Sequence, residues 1–178
     1  MTNDISLLEQ LKEDYAANYR DWTRPGFRAL VVYRIGAWSE TAKFGLFGKL
    51  ARRVCRVLYR RVRNRYGIEI PATAKIGRRL VIEHQGGIVV HGRSEIGDDC
   101  IVRQGVTIGN RLMTAPLSAP RIGNRVNIGC GAAILGDLTI GDDVNIGANA
   151  VIIHDVPAGA TAVGGLAEIK LGKRSFGN

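Results

Sequence analysis

The residues best suited to proton transfer in this chain are its three histidines, His84, His91 and His154. An imidazole exchanges protons near neutral pH, so it can take a proton from a hydroxyl group or bind a metal ion. His84 lies between Glu83 and a Gln-Gly-Gly segment. We expect His91 in a surface turn, with contact to a substrate as the alternative, and we expect His154 to be structural.

The three cysteines are Cys55, Cys100 and Cys130, which are widely spaced and form no C-x-x-C motif. This usage is typical of reduced thiols in a cytosolic protein. The first 15 residues are polar and acidic, unlike a secretion signal, and no run of 18 apolar residues is present. We therefore expect a cytoplasmic protein.

A repeat of six residues in the second half of the sequence must position these groups. An aliphatic residue recurs at every sixth position, with a two-residue shift after Ile88 and an interruption after Ile108. Glycine follows the aliphatic residue in half of the repeats. The aliphatic positions are Ile70, Ile76, Ile82, Ile88, Val90, Ile96, Val102, Ile108, Ile122, Ile128, Ile134, Ile140, Ile146 and Ile152.

A six-residue unit can supply one short strand and one turn, and three units close a triangular coil. We predict a mainly β fold, with a parallel β-helix over residues 68–165, an α-helical cap over residues 1–67 and a C-terminal tail over residues 166–178. So many positions in frame disfavour an ordinary sandwich. Hexapeptide repeats resemble the left-handed β-helix family, so we expect left-handed coils, an exception to the usual crossover rule.

A loop interrupts the repeat at residues 109–121, which contain two prolines. Loops that leave a regular scaffold often carry function. We expect this loop to reach a site or a neighbouring subunit.

The helical region carries most of the positive charge. Residues 1–68 hold 14 Lys and Arg against 6 Asp and Glu, a net charge of +8 out of +9 for the chain. A predicted helix over residues 44–65 is basic over residues 49–65 and contains no acid. This basic face is either a solvated cover for the solenoid or a surface for an anionic membrane or polymer. Its predicted apolar face consists of Phe47, Leu50, Ala51, Val54, Leu58 and Val62.

Nucleic acid is not an expected partner, because no recognised binding motif is present and aromatic residues are not interleaved with the basic ones.

Several segments resemble the serine acetyltransferase family. They are residues 68–77 and residues 82–90, which read Ile-Glu-His-Gln-Gly-Gly-Ile-Val-Val, together with residues 27–36 of the helical region. Residues 105–111 and 120–124 look closer to acetyltransferases of exopolysaccharide gene clusters of the colanic-acid type. The family transfers acetyl from acetyl-CoA to a hydroxyl group.

The resemblance implies that His84 is the general base and that Glu69, where the family has Asp, orients it. An alcohol needs a base when it attacks a thioester, and an acid partner fixes the ring of a catalytic histidine. Glu83 matches an acceptor-binding acid of the family, and Asp14 matches another one when the alignment contains a gap. Because no cysteine or serine is placed as an acyl carrier, we expect direct transfer.

The acceptor site departs from the family pattern. The Arg-His pair that binds serine in the family falls on Ser118 and Ala119, which cannot bind a carboxylate by charge. We therefore favour a sugar hydroxyl in exopolysaccharide biosynthesis as the acceptor. L-Serine remains the alternative, because Arg111 or Arg121 in the same loop can substitute for the missing pair.

The resemblance also implies a homotrimer, with acetyl-CoA in the groove between two β-helices; pairing of trimers into hexamers stays open. A family arginine near the C-terminus is replaced by Glu168, so Lys170 is the expected substitute at the phosphates. The remaining positions expected to contact acetyl-CoA are Gly109, Asn110, Gly129, Cys130, Gly147 and Ala148.

Two other functions deserve comparison with acetyl transfer. Some hexapeptide proteins hold zinc between three histidines, but His154 lies 63 residues after His91, about three coils away, so we expect no metal. An inactive trimeric scaffold is the second alternative. The intact segment around His84 argues against it.

Overall fold

Three helices form the N-terminal part among the residues that the computed structural model describes, which are 5–41 and 45–165, without the side chains of 45–47. Ser6 caps the first helix by accepting a hydrogen bond from the backbone N–H of Glu9, and Pro25 begins the second. The helices are α1 (Leu7–Ala17), α2 (Pro25–Thr41) and α3 (Gly45–Tyr66).

Fourteen strands of two or three residues follow within the same described ranges. They are β1 (Ile68–Glu69), β2 (Lys75–Ile76), β3 (Val81–Glu83), β4 (Ile88–Val90), β5 (Glu95–Ile96), β6 (Ile101–Arg103), β7 (Thr107–Gly109), β8 (Arg121–Ile122), β9 (Asn127–Ile128), β10 (Ala133–Leu135), β11 (Thr139–Ile140), β12 (Asn145–Ile146), β13 (Val151–Ile152) and β14 (Thr161–Ala162).

The strands form three parallel sheets that the chain visits in turn. One sheet has the order β1-β4-β7-β10-β13, the second β2-β5-β8-β11 and the third β3-β6-β9-β12-β14. Each passage through the three sheets completes one coil, and about five coils stack along the axis. The predicted fold class, a parallel β-helix behind an α-helical cap, is confirmed. Residues 166–178, predicted as a tail, lie outside the described residues.

The core is a set of aliphatic columns inside the three sheets. In the second sheet Ile76, Ile96, Ile122 and Ile140 are in register, and all four are buried. In the first sheet the pairing of Val90 with Ile108 follows the two-residue shift that the sequence shows after Ile88. Each buried aliphatic side chain contributes roughly 1.5–3 kcal/mol relative to exposure, so the columns are the main stabilising element of the solenoid.

Helix α2 fixes the cap to the first coil through two polar side chains. The Tyr33 hydroxyl donates to the carbonyl of Ala74 (2.9 Å) and accepts from the N–H of Ile76 (3.1 Å). The Arg34 guanidinium donates to the carbonyls of Ile76 (2.7 Å) and Gly77 (2.5 Å). These bonds occupy backbone groups at the start of the solenoid and set the angle at which the cap leaves it.

Helix α3 packs with part of the predicted apolar face, since Ala51, Leu58 and Val62 lie on its more buried side, and the side chain of Phe47 lies outside the described residues. Leu50 and Val54, expected on the packed side, are 61% and 50% exposed. The amphipathic pattern of the helix does not determine which apolar residues contact the core. In the structure the packed side is rotated about the helix axis relative to the predicted one. Gly67 ends the helix at a left-handed φ of 62° and leads directly into β1. The more buried side consists of Ala51, Arg52, Cys55, Leu58, Tyr59, Val62 and Tyr66.

No helix within residues 5–41 and 45–165 is long and apolar enough to cross a membrane.

Candidate active site

One edge of the solenoid carries His84, and we call it the histidine edge. It consists of the corners that join the third sheet to the first, at residues 84–87, 104–106, 129–132 and 147–150. Backbone hydrogen bonds connect these corners, from Gly105 N–H to the Gly86 carbonyl (2.8 Å), from Gly131 to Gln104 (2.9 Å) and from Asn149 to Cys130 (2.8 Å). The edge is therefore a continuous ladder in which successive coils lie in direct contact.

His84 begins this edge directly after β3. Its side chain is exposed, and its backbone has a φ of 64°, in the left-handed region that non-glycine residues rarely adopt. Within the described part of the chain, the side chain of His84 makes no hydrogen bond and no ion pair. Arg79, Asp99, Arg125 and Asp143 have nearly the same φ at other corners, so this conformation belongs to the turns of the coil. The corner thus presents a free imidazole to solvent.

Glu83 is fixed by two partners that the sequence analysis did not include. Its Oε1 accepts a hydrogen bond from the Tyr19 hydroxyl (2.9 Å), and its Oε2 lies 2.8 Å from Nε of Arg103. The hydrogen bond to this carboxylate raises the pKa of Tyr19. Arg103 also donates to the side-chain oxygen of Asn127 (2.5 Å). The carboxylate of Glu83 is therefore held in one place with its charge compensated.

The hexapeptide frame carried a signal for one of these partners. Arg103 follows Val102 as Glu83 follows Ile82, and the two residues are opposite each other in the register of β3 and β6. Tyr19 gave no such signal, because it lies just past α1, at a φ of 63°, and reaches the solenoid only through the tertiary fold.

Glu69 lies beside the first corner of the histidine edge. Gly67, two residues before it, packs on Gly86, two residues after His84; a Cβ at Gly67 would lie 3.1 Å from the Cα of Gly86. The carboxylate of Glu69 interacts with the hydroxyl of Tyr59 on α3. The pKa of Tyr59 is raised to about 12, mainly because the hydroxyl is buried and secondly because the carboxylate of Glu69 lies near it. Glu69 and His84 thus flank one corner, while their direct pairing stays a prediction.

Asp14 lies in the interior of the cap. It is fully buried, and its Oδ2 lies 2.8 Å from Nε of Arg34. Asn18 donates hydrogen bonds to the carbonyls of Asp14 (2.8 Å) and Leu80 (2.9 Å). This carboxylate is therefore paired within the cap, and its acceptor-binding role stays a prediction.

Four positions expected to contact acetyl-CoA lie on the histidine edge. Gly129 and Cys130 form the third corner, and Gly147 and Ala148 form the fourth. A Cβ at Gly129 would lie 2.6 Å from the backbone nitrogen of Ala148, so only glycine fits between these coils. Ala148 is exposed and Cys130 is half-buried. Small side chains here leave the backbone open to an extended ligand. Lys170 lies outside the described residues.

The other expected positions lie on a different edge, which we call the loop edge. It joins the first sheet to the second and includes the long loop at residues 110–120. Gly109 ends β7, and the Asn110 side-chain amide donates to the carbonyl of Leu112 (3.1 Å). Arg111 is exposed, and Arg121 lies 3.0 Å from Asp137. One chain therefore does not bring these four residues together with His84.

The loop itself has an apolar outer surface. Leu112, Met113 and Leu117 are 57%, 92% and 61% exposed. Ala119 is buried, and the Ser118 hydroxyl donates to the carbonyl of Ala115 (3.0 Å). The two positions that carry the family's Arg-His pair are thus occupied by residues that complete the loop's own turn.

The remaining candidate groups are poorly suited to covalent or metal chemistry. Cys100 is buried, and burial raises the pKa of its thiol to about 11, so it is not a ready nucleophile. In the part of the chain that the structure describes, no group of three His, Cys, Asp or Glu residues has the geometry to hold a metal ion. His91 accepts a hydrogen bond at Nδ1 from the N–H of Arg93 (3.3 Å), and His154 is exposed.

Comparisons with known proteins identify what this chain is similar to. A family model described as bacterial transferase hexapeptide (six repeats) matches residues 119–154. The serine acetyltransferase of Helicobacter pylori (strain ATCC 700392 / 26695) is 41% identical over 167 residues, which cover 92% of this chain and 93% of that protein. The chain belongs to the serine acetyltransferase family. It is an acyltransferase, as the shared family and the names of its relatives establish.

A second branch of the family is equally well matched. The colanic acid biosynthesis acetyltransferase WcaB of Escherichia coli (strain K12) is 38% identical over 161 residues, which cover 89% of this chain and 98% of that protein. Members of this family therefore carry names that point to two different acceptors.

Solved structures of the family share the fold. Serine acetyltransferase isoform 3 of Entamoeba histolytica, in complex with cysteine, has a TM-score of 0.77 at 26% identity over 96% of this chain. A serine acetyltransferase in complex with CoA has a TM-score of 0.72 at 30% identity, over 89% of this chain and 67% of that one. This chain spans 62% of the Entamoeba protein, so it matches only part of that longer relative.

Proposed function

We propose that this protein is an O-acetyltransferase that takes acetyl from acetyl-CoA and passes it directly to a hydroxyl group, with His84 as the general base. The observation that carries the proposal is the exposed imidazole of His84, held at a φ of 64° on the same edge as Cys130 and Ala148. The family relative in complex with CoA supports the choice of acetyl donor.

The residues of the histidine edge have separate roles in this reaction. Acetyl-CoA supplies an acetyl group activated as a thioester. His84 takes the proton from the acceptor hydroxyl as its oxygen forms the new C–O bond, and it returns the proton to the departing CoA sulfur as the C–S bond breaks. The acceptor gains the acetyl group and CoA leaves as the thiol, so no covalent enzyme intermediate is needed.

Glu69 acts on His84 in this scheme by fixing the imidazole and stabilising its cationic form. Tyr59 keeps Glu69 at the corner that it shares with His84. Burial and the nearby carboxylate of Glu69 raise the pKa of Tyr59 to about 12, which favours the neutral hydroxyl beside Glu69.

We favour a sugar hydroxyl in exopolysaccharide biosynthesis as the acceptor. Glu83, at the acceptor-binding position, is already neutralised by Arg103 at 2.8 Å, so it offers little net charge to an ammonium group. Ser118 and Ala119 offer no cation to a carboxylate. A site without unpaired charges suits a neutral polyol better than a zwitterionic amino acid. The similarity to WcaB supports the same choice.

L-Serine is the second candidate, and the relative from H. pylori favours it. Arg111 is exposed in the loop, and Arg121 forms only a surface pair with Asp137, in which the side chains are 55% and 63% exposed. Such surface pairs are weak, so Arg121 can exchange Asp137 for a substrate carboxylate at little cost.

A homotrimer would bring the histidine edge and the loop edge together. His84 and the loop residues Arg111 and Arg121 lie on different edges of one chain, so a site that uses both needs two chains side by side. We propose that the loop edge of one subunit faces the histidine edge of the next. The exposed Met113 and Leu117 then gain a partner surface. Acetyl-CoA runs along the groove between the two.

The acceptor is tested by measuring CoA thiol release from acetyl-CoA with the purified protein. The acceptors are L-serine and a panel of monosaccharides and nucleotide sugars, with D-serine as the matched control. Release stimulated by a sugar and not by L-serine supports the glycan acceptor. Release stimulated by L-serine alone assigns the enzyme to O-acetyl-L-serine formation and removes the sugar proposal.

A further inference from the structure

Helix α3 exposes a narrow apolar stripe on the side opposite its packed face. Leu50, Val54 and Val57 are 61%, 50% and 47% exposed. Their spacing of four and three residues aligns them along one line of a helix. These three residues, which we call the apolar stripe, contribute nothing to the core below.

Arginines surround the apolar stripe, and they are unpaired. Arg53, Arg56, Arg60 and Arg61 are exposed, and within residues 5–41 and 45–165 none of them forms an ion pair. The residues of α3 include no acid at all. By contrast, Arg125 on the β-helix binds Asp143 at 2.6 Å. Most arginines of the β-helix have an acidic partner, whereas these four arginines of α3 have none among the described residues.

The protein holds this surface in a fixed orientation. Val62 and Tyr66 pack against the core, Tyr59 interacts with Glu69, and Gly67 ties the end of the helix to the first coil through its contact with Gly86. Because α3 is anchored by its opposite side, the apolar stripe and its arginines can engage a partner without any change in the fold.

We propose that the outward face of α3 docks on an anionic lipid bilayer, with Leu50, Val54 and Val57 inserted at the level of the headgroups and the arginines bound to lipid phosphates. A helix that combines an apolar line with a cationic flank suits this interface, since each part gains from a different layer of the bilayer. The proposal goes beyond acetyl transfer and is independent of it, because it concerns where the enzyme works.

Other occupants fit the same surface less well. A second copy of α3 would bring two rows of unpaired arginines together without an acid to neutralise them. Nucleic acid would use the arginines but leave the apolar stripe in water. Only an anionic bilayer matches both the charge and the apolar line.

The test is flotation of the full-length protein with vesicles of phosphatidylcholine and phosphatidylglycerol in a 3:1 ratio, compared with phosphatidylcholine alone. We expect binding only to the anionic vesicles. The double variant Arg53→Gln/Arg60→Gln should weaken it by roughly 25-fold, since each arginine near the surface contributes about fivefold. The double variant Lys75→Gln/Arg125→Gln loses the same charge from the β-helix and should bind like the wild type.

A triple variant tests the apolar stripe. Leu50→Gln/Val54→Gln/Val57→Gln should lose at least about tenfold in binding, while Leu8→Gln/Val151→Gln/Val163→Gln, altered at exposed apolar sites elsewhere, should not. The variant Val54→Trp provides a second readout by fluorescence and keeps the apolar stripe apolar. The tryptophan emission should shift to shorter wavelengths when anionic vesicles are added.

Three results would overturn the proposal. One is the absence of binding to anionic vesicles. Another is equal binding by the triple variant and by its control, because the protein then adsorbs to the vesicles only as a basic protein and the apolar stripe plays no part. The third is a lower oligomer mass for the triple variant, measured by light scattering, because the apolar stripe then binds another copy of the chain.

Discussion

Glu83 of β3 and Arg103 of β6 are opposite each other in the parallel register, with Oε2 and Nε 2.8 Å apart. Glu83 directly precedes His84, so the pair holds the strand that leads into the histidine corner and neutralises the carboxylate beside it. The Tyr19 hydroxyl completes the arrangement from the cap, at 2.9 Å from the same carboxylate. The position of Glu83, the proposed acceptor-binding residue, thus depends on two coils and on the helical region.

Arg103→Gln should affect the acceptor and spare the donor. The substitution leaves Glu83 charged and without its cationic partner, so we expect kcat/KM for the acceptor to fall roughly tenfold, equivalent to about 1.4 kcal/mol, with KM for acetyl-CoA unchanged. Steady-state kinetics with each substrate varied separately measure both values. Arg125→Gln removes an arginine that is paired with Asp143 on another edge and serves as the matched control. Equal effects of the two variants would refute the role of Arg103.

Tyr59→Phe should lower kcat without raising either KM. The hydroxyl that interacts with Glu69, and that we propose holds it beside the histidine corner, is lost, while the ring and its packing remain. A hydrogen bond to a charged group is worth about 1.5–3 kcal/mol, so a roughly tenfold loss in kcat is expected. Tyr66→Phe is the control, since it also removes a hydroxyl from α3, one that accepts a hydrogen bond from Arg28 of α2 (3.2 Å). An unchanged kcat for Tyr59→Phe would show that Tyr59 does not position Glu69.

Asp14→Ala should destabilise the cap and leave the chemistry intact. Removing one partner of a buried pair leaves Arg34 without its carboxylate, at a cost of about 3–5 kcal/mol in unfolding free energy. Urea unfolding followed by circular dichroism measures this loss. The acceptor KM of the folded fraction should equal that of the wild type. A raised acceptor KM together with normal stability would instead place Asp14 in the acceptor site.

Acid should weaken the first coils through their surface carboxylates. The hydrogen bond from Arg79 holds the pKa of Asp99 below its usual range, and Arg78 does the same for the pKa of Glu13. Because these pKa values are lower in the folded protein, the stability they add is complete above about pH 4.5 and is lost as the pH falls toward the folded pKa values. Thermal melting between pH 6 and pH 2.5 should show this decline.

Arg79→Gln tests the origin of the acid sensitivity. The variant should melt lower than the wild type at pH 6, and the difference should shrink as the pH falls through the lowered pKa of Asp99. A constant difference in Tm across this range would mean that Arg79 contributes by packing and not through the charge of Asp99.

The sequence predicted the solenoid because a period of six has one physical outcome. Each aliphatic residue in frame must enter the same interior, so columns such as Ile76, Ile96, Ile122 and Ile140 follow directly from the spacing. Even the two-residue shift after Ile88 reappears as the pairing of Val90 with Ile108.

The sequence predicts the helical cap but not its contacts, because these depend on other elements. The environment of Asp14 is set by Arg34 of α2, 20 residues away, a pairing for which the sequence carries no signal. The amphipathy of α3 did not reveal which side meets the solenoid, so Leu50 and Val54 were placed on the wrong one. Tyr19 and Tyr59 reach the site only after the helices have docked on the first coils.

His84→Ala tests the central claim most directly. We expect kcat for acetyl transfer to fall by about 10²–10⁴-fold, the usual contribution of a general base, while acetyl-CoA binding by calorimetry and the oligomer mass stay unchanged. His154→Ala replaces another exposed histidine and should retain full activity. If His84→Ala transfers acetyl at the wild-type rate, His84 is not the base and the proposed mechanism is wrong.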